Sequence, residues 1–313
     1  MSEKIAFLFP GQGSQSIGMG QDIINEISEA KEIFEQVDDI CRKPISKLCA
    51  EGPMDELTLT VNLQPAVTAV SIACLAALNR SGVSAHVSAG HSLGEYVALT
   101  SSGVISPYDA LRLVNKRGEL MHRESLSHPG VMAAVLGMDI DEVAQIVERA
   151  RDKGVLAIAN HNTAEQIVIT GEEKPLGRVV ELIKEMGKKA IPLKVSGAWH
   201  CDLMADAVDE FRGFMEDIPF EAPKSIMLFN ATAGTEDDPA KIKDIMANQL
   251  TSRVRWYDII VRMMEDGIDT FVEVGPKKVL TGMLKKIIPR ESDSKVYNVE
   301  DIKSLNQFLE EVR

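Results

Sequence analysis

The chain has 313 residues, 45% of them hydrophobic, which suits one large core with a small second domain and excludes a disordered chain. Its net charge of −13 disfavours a protein that grips phosphate backbones, a task for clustered Lys and Arg, so nucleic acid is not an expected partner. The start, Met1-Ser2-Glu3-Lys4-Ile5, has no basic leader before an apolar run, and no segment reads as the roughly 20 apolar residues of a membrane span. The expectation is a soluble, cytoplasmic protein with no membrane partner.

In chain order, Ile5-Ala6-Phe7-Leu8-Phe9, ending in Pro10-Gly11, reads as a buried strand. Helical patterns come next at about 18–39 and 65–78, the second apolar on most sides and so expected to be covered. A short strand over 85–89 leads directly into a helix at 94–99. From about Gly130 the texture changes to short alternating units. Strand 131–136, helix 140–151, strand 156–160, strand 166–170, helix 175–186 and strand 190–195 give the order βαββαβ of a ferredoxin-like module. Strands near 227–229 and 271–274, with helices between and after them, resume the larger pattern. The expected fold class is α/β. A large α/β-hydrolase-like domain with a parallel sheet would be discontinuous, over 1–128 and 198–313, with a ferredoxin-like subdomain inserted at 129–197.

Cys41, Cys49, Cys74 and Cys201 are too few and too irregular for a disulfide framework. No His or Cys pair falls at zinc-site spacing, so no metal is expected.

Gly90-His91-Ser92-Leu93-Gly94 fits the G-x-S-x-G nucleophile elbow, in which small residues flank a sharp turn between strand and helix. Such a motif also arises by chance in Gly-rich loops, but here a strand precedes it and a helix comes directly after. The turn would expose the Ser92 hydroxyl, and the Leu93 amide at a helix start could face a developing oxyanion. A serine needs a base within hydrogen-bond reach. Of the six histidines, His86 sits in the strand before the elbow and His122 and His128 lie near a helix end. His91 would point away from its neighbour, and His161 belongs to the inserted module. His200, where the chain re-enters the large domain, is the preferred base; a hydrogen-bonded structural histidine is the alternative.

Ser106-Pro107 with Asp109 forms a helix start, and this fixes the phase of the helix. Ala110, Leu113, Val114, Leu120 and Met121 make one apolar stripe, which places Arg117 on the buried face. A buried guanidinium needs an anionic partner, either a protein carboxylate or a ligand. Gly11-Gln12-Gly13-Ser14-Gln15 lacks the third glycine of a dinucleotide fingerprint and is expected to bring backbone amides near a reacting group. Lys277, Lys278, Lys285, Lys286 and Arg290 form a basic cluster, either a solvated face or a contact for an acidic partner.

Together Phe9-Pro10-Gly11-Gln12-Gly13-Ser14-Gln15, Gly90-His91-Ser92-Leu93-Gly94-Glu95-Tyr96, Arg117, Trp199-His200 and Val272-Glu273-Val274-Gly275-Pro276 resemble the malonyl-CoA:acyl carrier protein transacylases nearly end to end. The resemblance implies Ser92 as nucleophile, His200 as general base, backbone amides of Gln12 and Leu93 as oxyanion hole, and Arg117 as clamp for a free malonyl carboxylate. It also implies that the Gln249 backbone carbonyl orients the histidine in place of an acidic triad member. No cofactor or metal is implied: malonyl-CoA is the substrate, and the phosphopantetheine thiol belongs to the acyl carrier protein, for which Lys285 and Lys286 are candidate docking residues. The sequence departs from the family pattern at Trp199, which would narrow the acyl pocket and favour malonyl over methylmalonyl. It departs again at Arg253 in place of a common proline, at Lys277 in place of a common glycine, and at the centre of Asn160-His161-Asn162. A related hydrolase, a silent carrier-binding module and a generic esterase are competing readings, disfavoured respectively by Arg117, by the intact Ser92, His200 and Arg117 set, and by the inserted module with the inward arginine; a polyketide-pathway transferase stays open, since the sequence does not settle the pathway.

Overall fold

The computed structural model describes residues 4–151 and 154–312; Met1, Ser2, Glu3, Asp152, Lys153 and Arg313 lie outside the described residues. Strand β1 (Ile5–Phe9) is fully buried and is the middle strand of the larger sheet. It leads into α1 (Gln21–Glu26), α2 (Ser28–Cys41), α3 (Ile45–Glu51), α4 (Met54–Thr58) and α5 (Thr60–Arg80) before β2 (Val87–Gly90) returns beside it. Helices α6 (Glu95–Ser101) and α7 (Pro107–Ser127) come next. The small module comprises β3 (Val131–Leu136), α8 (Ile140–Ala150), β4 (Leu156–Thr163), β5 (Gln166–Gly171), α9 (Glu173–Glu185) and β6 (Lys189–Pro192). The large pattern then resumes with α10 (Ala205–Glu216), β7 (Ile226–Leu228), α11 (Pro239–Asn248), α12 (Trp256–Glu265), β8 (Thr270–Val274), α13 (Val279–Ile287), β9 (Lys295–Val299) and α14 (Ile302–Val312).

The five-stranded sheet has order β7-β2-β1-β8-β9, and every neighbouring pair is parallel. A parallel strand is covered on both faces, which is why β1 reads as a continuous apolar run. Phe7 and Phe9 enter the core built with α2, α5 and α7, while Ala6 and Leu8 enter the core built with α12 and α13. The second sheet is antiparallel throughout, in order β4-β5-β3-β6. Ala133, Val135, Ile167 and Ile169 pack on α8 and α9, whereas Met132, Ala159 and Val168 belong to the large core. The small sheet thus buries both faces, one on its own helices and one on the larger body. The two bodies are also stitched by backbone bonds, Val254 N–H to Ala159 O at 2.8 Å and His161 N–H to Val254 O at 2.8 Å.

The α/β class with a separate antiparallel module matches expectation; several element details do not. The pattern over 18–39 is two helices, divided at Ile27, whose extended backbone (φ −122°) places its own side chain in the core. Helix α5 begins at Thr60 and carries Pro65 inside it. Burial along nearly its whole length offsets the helical bond that proline cannot make. This helix is also long and apolar enough to cross a membrane, contrary to the expectation that no segment is, but 89% of its most apolar stretch is buried inside the protein. Edge strand β9 has no counterpart among the expected elements, because Lys295–Val299 is half polar and mostly only half-buried.

The elbow depends on two glycines. A Cβ on Gly90 would lie 1.9 Å from the Gly94 carbonyl carbon, and one on Gly94 would lie 2.0 Å from the Phe9 oxygen. Both clashes are with backbone, so no side-chain rotation relieves them. Gly94→Ala is therefore expected to cost at least ~3 kcal/mol in denaturant unfolding. By contrast, exposed Gly213 in α10 has open space around it, and Gly213→Ala is expected to stabilise by roughly 0.5–1 kcal/mol. Comparable effects for the two would contradict the close-approach argument.

Candidate active site

The site sits beyond the carboxyl ends of β1, β2 and β7, where open parallel sheets place their ligands. Gln12 comes after β1, Ser92 after β2 and Asn230 after β7. Ser92 has φ 51° and His200 φ 61°, both in the left-handed region that non-glycine residues avoid. Strain of this kind costs ~1–3 kcal/mol and persists only where the surroundings over-determine it. At Ser92 they do: its N–H donates to Asn230 Oδ1 at 2.7 Å, and Asn230 Nδ2 donates to Gly90 O at 2.7 Å.

Ser92 Oγ lies 2.8 Å from His200 Nε2. His200 Nδ1 faces the backbone oxygens of Gln249 and Ser252, each at 3.0 Å. Two carbonyls can only accept, so Nδ1 carries the proton and Nε2 is left as the acceptor for the serine hydroxyl. Burial and, behind it, the charge of Arg117 push the His200 pKa down to about 3, so the resting imidazole is neutral. The Gln249 carbonyl stands where the family resemblance puts it; Ser252, on the turn after α11, is a partner that no sequence signal marks.

Arg117 reaches the same serine from α7, whose start is as read: Ser106 Oγ accepts from Asp109 N–H at 3.1 Å, with Pro107 at the first position. Arg117 as a whole is 1% exposed. Among the described residues its hydrogen bonds go to neutral oxygens: Gln249 Oε1 from Nε at 3.2 Å and from Nη2 at 3.0 Å, Gln64 Oε1 from Nη1 at 2.9 Å, and Ser92 Oγ from Nη2 at 3.0 Å. Its Cζ also lies 5.7 Å from the Tyr96 ring centre, a favourable cation–π placement. No carboxylate among the described residues hydrogen-bonds it directly; the charge of Glu95 acts on it only from a distance.

One carboxyl group is nevertheless close by. Glu95 is fully buried at the start of α6, and its oxygens accept from Asn230 N–H at 2.7 Å and from Gln249 Nε2 at 2.5 Å. The same Gln249 Nε2 donates to Ser92 O at 2.9 Å. Burial raises the Glu95 pKa to about 7 against the opposing pull of these donors and of Arg117. Neither Glu95 nor Asn230 and Gln64 could be chosen from sequence as network members, since each meets its partners across long chain separations.

Gln12, His91, Ser92, Leu93, Arg117 and His200 share one cavity of about 110 Å³ with an apolar side formed by Met121, Met132, Leu193, Val195 and Trp199. That is well below the roughly 300–1,000 Å³ of sites for drug-sized ligands, so the cavity suits a short acyl group. His91 lines this cavity rather than turning out of it, but it does not bond Ser92; its Nε2 pairs with Asn162 Oδ1 of the small module at 2.8 Å. The other histidines lie elsewhere: His86 Nδ1 accepts from Ile5 N–H at 3.0 Å, His161 pairs with Asp258 at 3.4 Å and His128 with Asp206 at 3.2 Å. Lys277 takes φ 63°, the conformation that explains why glycine is common there, and its N–H donates to Glu300 Oε2 at 2.9 Å.

The raised Glu95 pKa has a stability consequence. A carboxyl with ordinary pKa 4.5 that rises to about 7 on folding favours the folded state below pH 4.5, and that contribution is lost as pH rises through 7. Relative to Glu95→Gln, the unfolding free energy of the parent chain should fall by about 2–3 kcal/mol between pH 5 and pH 8. Denaturant titrations at the two pH values measure this, and a pH-independent difference would place the carboxyl in its ordinary range.

The sequence matches the acyl transferase domain family over residues 6–310. The malonyl CoA-acyl carrier protein transacylase of Bacillus subtilis (strain 168) is 41% identical over 310 residues, covering 98% of each chain. That of Haemophilus influenzae is 36% identical over 311 residues, covering 98% of this chain and 99% of its own. The solved acyl carrier protein S-malonyltransferase of Vibrio cholerae superposes with TM-score 0.93 at 36% identity, over 98% of this chain and 100% of that one. A malonyl-transacylase solved in complex with its type II PKS acyl-carrier protein gives TM-score 0.94 at 33% identity, over 99% and 100%. The chain thus belongs to the acyl transferase family and, within it, to the malonyl CoA-acyl carrier protein transacylases.

Proposed function

We propose that this protein transfers a malonyl group from malonyl-CoA to the phosphopantetheine thiol of an acyl carrier protein through a malonyl ester on Ser92, supplying extender units for fatty acid biosynthesis in the cytoplasm. The observation that carries the reading is a buried guanidinium, held by neutral oxygens alone, 3.0 Å from a serine hydroxyl that also faces a neutral histidine. A planar fork matches a carboxylate with parallel charge-assisted bonds, so a malonyl group fits where an acetyl group would leave the charge unpaired.

In the first half-reaction Ser92 Oγ attacks the thioester carbonyl while His200 Nε2 takes its proton. The backbone amides of Gln12 and Leu93, two residues that line the cavity, are read as the donors to the developing oxyanion. Collapse expels coenzyme A, whose sulfur takes the proton from His200. The carrier-protein thiol then gives its proton to His200 and attacks the ester, and Ser92 leaves with that proton. His200 serves both halves, so no prosthetic group is called on. Arg117 lowers the basicity of His200 by its charge, and a bound malonyl carboxylate would relieve that opposition, making the base stronger when the correct substrate is present. Trp199, buried against the cavity with Met121 and Met132, is read as the wall that disfavours an added methyl branch.

Lys285 and Lys286, exposed at the end of α13, border a groove shared with residues 163–166 of the small module and with Arg290. We read this as the face that meets the carrier protein, through acidic groups on that partner. Reversing both lysines to Glu should raise the apparent KM for carrier protein about tenfold or more, with the KM for malonyl-CoA unchanged; an unchanged carrier KM would remove the docking assignment.

The reaction is tested by incubating the protein with malonyl-CoA, or acetyl-CoA in parallel, and reading the intact mass before and after carrier protein is added. A malonyl adduct absent in Ser92→Ala and discharged to the carrier is the expected result. Arg117→Ala should lose malonyl loading by a factor of about 10² or more, far more than acetyl loading. Coenzyme A release without transfer would instead identify a hydrolase.

A further inference from the structure

The side-chain amide of Gln249 stands between a group that can only donate and one that, when ionised, can only accept. Its Oε1 takes Nε and Nη2 of Arg117 at 3.2 and 3.0 Å, and its Nε2 donates to Glu95 Oε2 at 2.5 Å and to Ser92 O at 2.9 Å. If the amide turned over, its NH₂ would face the guanidinium and its oxygen would face a carboxylate and a carbonyl. Every one of these hydrogen bonds would become a repulsion. The acceptor at the far end therefore fixes which way Gln249 points, and with it the aim of the guanidinium.

Glu95 holds this place at a cost. It is fully buried, with no cation among the described residues bonded to it directly, and a glutamine would avoid the desolvation of a charge. A glutamine could not, however, accept on both sides. One of its terminal atoms would be an NH₂ facing either Asn230 N–H or Gln249 Nε2, which are both donors here. The carboxylate thus satisfies two requirements with one side chain: Oε2 orients Gln249, and Oε1 anchors Asn230, which holds the strained Ser92 backbone through Oδ1.

We propose that Glu95 is a positioning residue for acyl-group selection: by accepting from Gln249 it fixes the amide that aims Arg117 at the free carboxylate of the substrate. It touches no reacting atom and acts through Gln249. This rests on the malonyl reading of Arg117 and deepens it, because it assigns substrate selectivity to a residue two positions removed from the substrate. A merely structural role would lower loading of every acyl group alike. A positioning role changes the ratio.

The test is a double-mutant cycle on acyl loading of Ser92, with malonyl-CoA and acetyl-CoA as the two probes and the parent chain, Glu95→Gln, Arg117→Ala and the double variant compared. Glu95→Gln is expected to reduce the malonyl-over-acetyl loading ratio about tenfold or more, and to change that ratio less than about twofold once Arg117 is already alanine. An unaltered ratio in Glu95→Gln, or the same loss with and without Arg117, would overturn the inference. If Glu95→Gln does not fold, Glu95→Asp is read in the same way. Failure of the parent chain to prefer malonyl would overturn the Arg117 reading, and this inference with it, whereas a parent preference retained in Glu95→Gln overturns the positioning role alone.

Discussion

The site is organised around one buried positive charge. Arg117 is surrounded by oxygens of Gln249, Gln64 and Ser92, none of which is anionic, and it lies on a helix whose phase is set at Ser106 and Pro107. Such a charge is tolerable because the planar guanidinium spreads it and because each neighbouring oxygen is aimed at it. The cost of burying it falls on the empty enzyme, and a ligand carboxylate would recover it. That asymmetry is what suits the proposed dicarboxylic acyl group to a cavity whose other polar lining, Gln12, His91, Ser92, Asn160 and His200, carries no fixed positive charge.

The remaining parts of the site satisfy constraints that this charge imposes. A neutral histidine is needed beside a serine, and the proximity of Arg117, with burial, keeps it neutral. Its orientation is then fixed by backbone carbonyls at Gln249 and Ser252, a carboxylate-free arrangement that brings no competing anion close to the guanidinium. Glu95 is the nearby carboxyl of the network, an anion only when ionised, and it is kept one amide away. The left-handed backbones of Ser92 and His200 are held from several directions, by Asn230, by the glycine contacts of the elbow and by those carbonyls. The strain sits at the two residues that face each other.

Parts of this were legible in the sequence because their causes are local. The cap at Ser106 and Asp109 and the apolar stripe that turns Arg117 inward are read within one helix. The elbow at Ser92 is read within five residues, and the βαββαβ order from alternation of short patterns. Gln249 could be named only through family resemblance. Gln64, Glu95, Asn230 and Ser252 carry no local signal at all, since an amide or carboxylate becomes a network member only when distant elements meet. The break at Ile27 and the strand Lys295–Val299 were likewise hidden, one within a continuous helical pattern and the other at a half-polar sheet edge.

What the sequence by itself determined is the α/β class, the nucleophile turn, the inward arginine and the histidine as the preferred base, because periodicity and turn chemistry act between near neighbours along the chain. The tertiary structure decided the rest: that His91 lines the cavity while bonding Asn162, that Arg117 meets neutral oxygens, and that Glu95 stands behind Gln249. The physical reason is that hydrogen-bond direction and charge compensation depend on which groups converge in space, and here they converge from the ends of three parallel strands and from helices far apart in the chain.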